Sequence, residues 1–115
     1  MMPRMKKTPF SPWETKKNDG IEKRYIRLGA SQMASEPMRA LSNSAFKIYC
    51  YMRLESGGKK EFTFPHQKYQ SYMSKPTFFD AQKELVEKGF IDVIQRNKNV
   101  RKANVYAFSE RWKEL

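Results

Sequence analysis

Apolar positions along the chain switch between two spacings, and the switches mark out its elements. After Leu41-Ser42, the residues Ala45, Ile48, Tyr49 and Met52 recur at i, i+3, i+4 and i+7, which gathers them on one face of an α-helix. Ser42 or Ser44 is suited to cap its start, because a serine hydroxyl accepts from a backbone N–H in the first turn. Phe46, Cys50 and Leu54 add apolar surface on other faces, so this helix is expected to run through the middle of the core. Gly57-Gly58 ends it. Glu61-Phe62-Thr63-Phe64 then alternates with period two, which predicts a short strand with both phenylalanines on one face, stopped at Pro65. Pro65–Tyr72 reads as a short helix with Tyr69 and Tyr72 turned inward.

The next helix has the clearest signals. Ser74 is a natural N-cap and Pro76 falls in the first turn, where its missing N–H costs nothing. At about 100° per residue, Phe78, Ala81, Gln82 and Leu85 share one side, with Lys75 and Val86 at its margin. Pro76, Asp80, Lys83 and Glu87 share the opposite side, flanked by Thr77, Phe79 and Glu84. Gly89 is placed to end the helix after Lys88. Phe90–Ile94 follows as a strand, then the polar stretch Gln95–Lys102, then a second strand over Ala103–Ser109 with Val105 and either Tyr106 or Phe108 inward. Two strands joined by a polar loop are a hairpin. Glu110–Leu115 is expected to close the chain with one helical turn anchored by Trp112. Upstream, Tyr25–Leu28 alternates weakly as a short strand, Ser31–Ala34 forms a single helical turn, and Ser35-Glu36-Pro37 caps a second short helix.

Composition narrows what such a chain can do. A length of 115 residues is one domain with one modest core. Residues 1–20 read as a flexible basic N-terminal arm, because three prolines and many cations leave little apolar surface to offset the ordering entropy. Residues 21–115 are then the folded domain. The longest apolar run, Ile48–Met52, is far below the roughly 20 residues of a bilayer span, so no membrane partner and a cytoplasmic setting are expected. One cysteine (Cys50) and one histidine (His66) make neither an internal disulfide nor a four-ligand zinc site. No glycine-rich phosphate loop or nucleophile motif occurs, so neither catalysis nor a cofactor is expected.

The charge points to a partner. The chain carries 23 Lys plus Arg against 12 Asp plus Glu, a net +11. Residues 1–27 hold eight basic and three acidic groups and residues 28–115 hold fifteen and nine, +5 and +6, so the excess is not confined to the tail. Gln95–Lys102 contains Arg96, Lys98, Arg101 and Lys102 with no acid. Such a row suits the phosphates of a polyanion, each contact releasing a condensed counterion.

Three helices, a small strand between the first and second, and a hairpin after the third follow the order of a winged helix. The α+β class and this order go with specific residues. The run Ser74-Lys75-Pro76-Thr77-Phe78-Phe79-Asp80-Ala81-Gln82-Lys83-Glu84-Leu85-Val86-Glu87-Lys88-Gly89-Phe90-Ile91 resembles the recognition-helix-to-wing pattern of bacterial winged helix-turn-helix DNA-binding domains. From Tyr25 to Trp112, about three-quarters of the chain, it is similar to the N-terminal domains of plasmid and phage replication initiators and mobile-element regulators. The resemblance implies a three-helix core with a C-terminal β-hairpin wing and double-stranded DNA as partner, in replication initiation or transcriptional regulation. Lys75, Thr77, Phe79, Asp80 and Lys83 would face the groove, and Arg96, Lys98, Arg101 and Lys102 the backbone.

The chain departs from that pattern at four places. Asp80 stands where a basic or small polar residue is common, Phe79 is a large aromatic on the outward side, Tyr72-Met73 replaces a frequent glycine, and Gln82 takes a usual aliphatic position. These keep two other readings open: a protein-interaction module, including a homodimer, built on Phe79, and an RNA-binding factor.

Overall fold

The computed structural model describes Trp13, residues 24–96 and residues 103–115. The chain is an α+β domain whose described residues form four α-helices and one three-stranded antiparallel sheet: α1 (Ala30–Ala34), α2 (Glu36–Arg39), α3 (Asn43–Ser56), β1 (Glu61–Thr63), α4 (Lys75–Glu87), β2 (Ile91–Gln95) and β3 (Val105–Phe108).

Local chemistry sets the ends of these elements. Ser42 is the cap of α3, its hydroxyl accepting from the Ala45 N–H at 3.2 Å, and Gly57 ends the helix in the left-handed region at φ 63°. Ser74 caps α4 by accepting from the Thr77 N–H at 3.3 Å. At the other end of α4, the Phe90 N–H bonds the Leu85 carbonyl and the Gly89 N–H bonds the Val86 carbonyl, while Gly89 takes φ 81°. This paired closure turns the chain straight into β2. The Arg111 guanidinium adds a third ligand there, donating to the carbonyls of Val86 and Ile91 and to Asp92, so a cation sits at the negative end of the helix.

The sheet order is β1-β3-β2, so the last strand lies between the first two. Phe62 pairs with Tyr106, and Val93 pairs with Tyr106 from the other side. A register shift lies between Val93 and Gln95, where β2 bulges before the loop. Helices α3 and α4 pack on each other and on the inner face of the sheet. The core joins Ile48, Tyr49 and Met52 of α3 to Phe78, Ala81 and Leu85 of α4, and both sets to Phe62, Tyr106 and Phe108 of the sheet. Aromatic stacking organises much of it: the Tyr69 and Phe78 rings lie 4.0 Å apart, and Phe62 lies 4.5 Å from Phe108. Trp112 closes the end of the core against Phe90.

Three sequence expectations are corrected here, while the closing helical turn anchored by Trp112 is found where expected. Residues 25–28 form no strand. The buried Arg53 guanidinium donates to the Arg27 carbonyl and Arg24 to the Leu54 carbonyl, so side chains tie this segment to α3 in place of a β-ladder. Pro65–Tyr72 is not a full helix: it makes one 3-10 turn over His66–Lys68 and then turns again at Tyr69, whose carbonyl accepts from both Tyr72 and Met73. Tyr69 is drawn into the stack on Phe78 and leaves helical geometry at φ −127°. In β3, Tyr106 and Phe108 both point inward, as period two requires, and Val105 lies on the other face, half-buried. The last turn, Arg111–Glu114, is also 3-10.

The stretch expected to be an arm lies outside the described residues except for Trp13. Its ring stacks on Phe108 at 6.3 Å, with the Lys60 ammonium 5.8 Å from the ring centre.

Candidate nucleic-acid interface

Helix α4 divides as its spacing dictates. Phe78, Ala81, Gln82 and Leu85 are buried, and Lys75, Thr77, Phe79, Asp80 and Lys83 are exposed on the outward side. The Phe79 ring is 56% exposed, edge-on to the buried Phe78 ring at 5.9 Å. Among the described residues, Lys75, Asp80 and Lys83 enter no ion pair; the pairs present are Arg24–Glu55, Lys68–Glu55, Arg111–Asp92 and Lys113–Glu110. With Glu87 exposed on the same side, Lys75 and Lys83 against Asp80 and Glu87 leave this surface with no net charge. Glu84, on the flank, is turned away from it: its carboxylate accepts from the Ser42 backbone N–H at 2.6 Å and the Ser42 hydroxyl at 2.8 Å. Helix α4 therefore supplies a carboxylate to the first turn of α3, the role an in-helix glutamate plays in a capping box.

The unusual Gln82 has a partner in the sheet. Its side-chain oxygen accepts from the Tyr106 hydroxyl at 2.9 Å, and both residues are buried. Burial pushes the Tyr106 phenol above its ordinary value, while a side-chain hydrogen bond to Asn104 and the Arg96 charge pull against that rise. Arg96 is exposed and directly follows β2. Lys98, Arg101 and Lys102 lie outside the described residues.

Sequence reasoning missed three polar residues on α3. Asn43, Ser44 and Lys47 line a cleft with Tyr72, Ser74 and Thr77, between the beginnings of α3 and α4. The Lys47 ammonium stands 5.1 Å from the centre of the Tyr72 ring, and Tyr72 stacks on Tyr51 at 4.6 Å. Lys47 follows Asn43 at i+4 on the polar side of α3, a pattern any solvated helix face shows. Only the packing of α3 against α4 brings it to Thr77. The Tyr72 phenol is pushed up to about 12 by burial, with the Tyr51 and Glu55 charges adding to the rise. Burial also pushes the Cys50 thiol up, as in an inert, half-buried cysteine.

Among the described residues no three His, Cys, Asp or Glu side chains converge where they could hold a metal ion. No described helix is long and apolar enough to cross a membrane. Comparison with known proteins gives no match: no family model, no curated protein and no solved structure is significantly similar to the chain.

Proposed function

We propose that the chain is a non-catalytic, winged helix-type DNA-binding domain that docks α4 in the major groove and lays the β2–β3 loop along the neighbouring backbone. The observation that carries this reading is the joint between the sheet and α4: Tyr106 is bonded to Gln82, and the Arg96 charge acts on the same oxygen. It ties α4 to the strand that leaves the loop, and on this reading one duplex meets both the Thr77–Lys83 surface and the loop. An α-helix fits a B-DNA major groove about 12 Å wide. Thr77 and Phe79 offer contacts to a thymine methyl, Asp80 can accept from cytosine N4, and Lys75 and Lys83 reach phosphates or guanine edges. With α4 itself nearly neutral outward, the loop supplies most of the sequence-independent attraction. On the resemblance noted above, the process served is replication initiation or transcriptional regulation of a plasmid, phage or other mobile element.

The test is duplex binding across a salt series, comparing the chain with a variant in which Arg96, Lys98, Arg101 and Lys102 are all glutamine. Four lost phosphate contacts lower the slope of log affinity against log salt by about 3–4. Unchanged affinity and slope would overturn the proposal. A second reading, a protein-interaction module, is favoured by one observation, the 56% exposed Phe79 ring on an otherwise polar face. It predicts that Phe79→Ala abolishes self-association or partner capture while duplex affinity stays the same. Equal affinity for RNA and DNA duplexes of one length would point instead to an RNA-binding factor.

A further inference from the structure

We infer that the cleft between the beginnings of α3 and α4 is a phosphate seat; on the proposed function, its occupant is one backbone phosphate of the duplex that α4 faces. The cleft measures about 300 Å³, and its lining offers the Lys47 ammonium, the Asn43 amide and the hydroxyls of Ser44 and Thr77 as donors, with the Ser74 hydroxyl donating to Thr77. Among the described residues no carboxylate lines it. Glu84 on α4 is held by Ser42, and Asp80, one turn on from Thr77, does not line the cleft.

Lys47 is positioned for this use. It forms no ion pair among the described residues, and the Tyr72 ring holds its ammonium at 5.1 Å in place of a carboxylate. A cation resting on an aromatic face keeps its full charge, and its hydrogen-bond donors remain open to an anion. The Thr77 oxygen already accepts from the Ser74 hydroxyl at 2.9 Å, which leaves the Thr77 proton to donate outward. Helix α4 also directs the positive end of its dipole toward this region, while that of α3 is met by the Glu84 carboxylate. Thr77 belongs to both the cleft and the outward face of α4, so the seat continues the proposed interface onto α3.

The inference rests on the proposed function for its occupant, and one set of variants separates the two. In the same salt series, Lys47→Gln is expected to lower the slope by about 0.9, one phosphate contact. Lys47→Arg should restore it, and Lys59→Gln, beyond the other end of α3, should leave it unchanged. An unchanged slope in Lys47→Gln beside a lowered one in the loop variant overturns the inference and leaves the proposed function standing. A chain that binds no duplex overturns the proposed function. The seat is then decided by titrating inorganic phosphate against chloride at matched ionic strength and following backbone amides by NMR. Saturable shifts at Ser44, Lys47, Ser74 and Thr77 support it as a site for free phosphate, and silence there overturns it.

Discussion

Gln82 and Tyr106 make one buried bond that joins α4 to the strand leaving the loop, and breaking it from either side should cost more than breaking it from both. The oxygen–oxygen distance is 2.9 Å, and the two residues are 8% and 3% exposed, so water cannot replace a lost partner without opening the core. Tyr106→Phe removes the donor and leaves a buried amide oxygen unsatisfied, a loss of about 1–3 kcal/mol. Gln82→Leu leaves the buried phenol O–H without this acceptor and should cost a similar amount. In the double variant both polar groups are gone, and two apolar side chains of similar volume meet in their place. Its stability should lie within about 1 kcal/mol of the parent, giving a coupling of about 3 kcal/mol for single losses of about 2 kcal/mol each. A single-variant loss of about 2 kcal/mol corresponds to a fall in Tm of roughly 8–16 °C for a domain of this size. Urea and thermal unfolding of the four proteins measure the cycle. Additive losses, with coupling below about 0.3 kcal/mol, would refute the claim that this bond is made in solution.

Three further outcomes follow from particular contacts. Gly89→Ala should destabilise by at least about 2 kcal/mol in urea unfolding, since the residue sits at φ 81° and an added Cβ would lie 2.6 Å from the Trp112 backbone nitrogen; a change below about 0.5 kcal/mol would contradict the helix closure described. Phe79→Ala should change stability by less than about 0.5 kcal/mol because the ring is mostly exposed, yet weaken duplex binding measurably. The Tyr69, Tyr72 and Tyr106 phenols are all pushed above the ordinary value of 10.0, Tyr72 to about 12. The folded state therefore holds these protons after the unfolded chain has released them, so their contribution to stability is complete below pH 10 and is lost as pH rises toward 12. Tyr72→Phe should flatten that alkaline decline in a pH series of unfolding midpoints.

The sequence carried the parts of the fold that depend on near neighbours. Ser42 and Ser74 as caps, Pro76 in the first turn, Gly89 after α4 and the buried Phe78–Leu85 side all follow from spacings within a few residues. Contacts across the chain were not legible. An arginine at position 53, on a helix already rich in apolar residues, reads as a solvated cation; its burial depends on the Tyr49 hydroxyl and the Arg27 carbonyl, 26 residues away. Gln82 reads as a polar intrusion in an apolar stripe until β3 brings Tyr106 to it. The 3-10 turn at His66–Lys68 likewise reflects the Tyr69 ring committed to Phe78, which no local propensity encodes. Of the candidate site, the outward face of α4 was visible as a helical stripe. The cleft at Lys47 was not, because it exists only where two helices meet.

The central claim, that the exposed side of α4 and the cationic loop meet one duplex together, is tested most directly by mapping backbone amide shifts on titration with a DNA duplex at low salt. The account predicts that Thr77, Phe79, Asp80, Lys83 and Arg96 move in the same titration as the loop at residues 97–102, and that added salt reverses all of them together. Shifts gathered instead around Pro37, Trp112 and Leu115, or confined to the loop while α4 stays still, would contradict it.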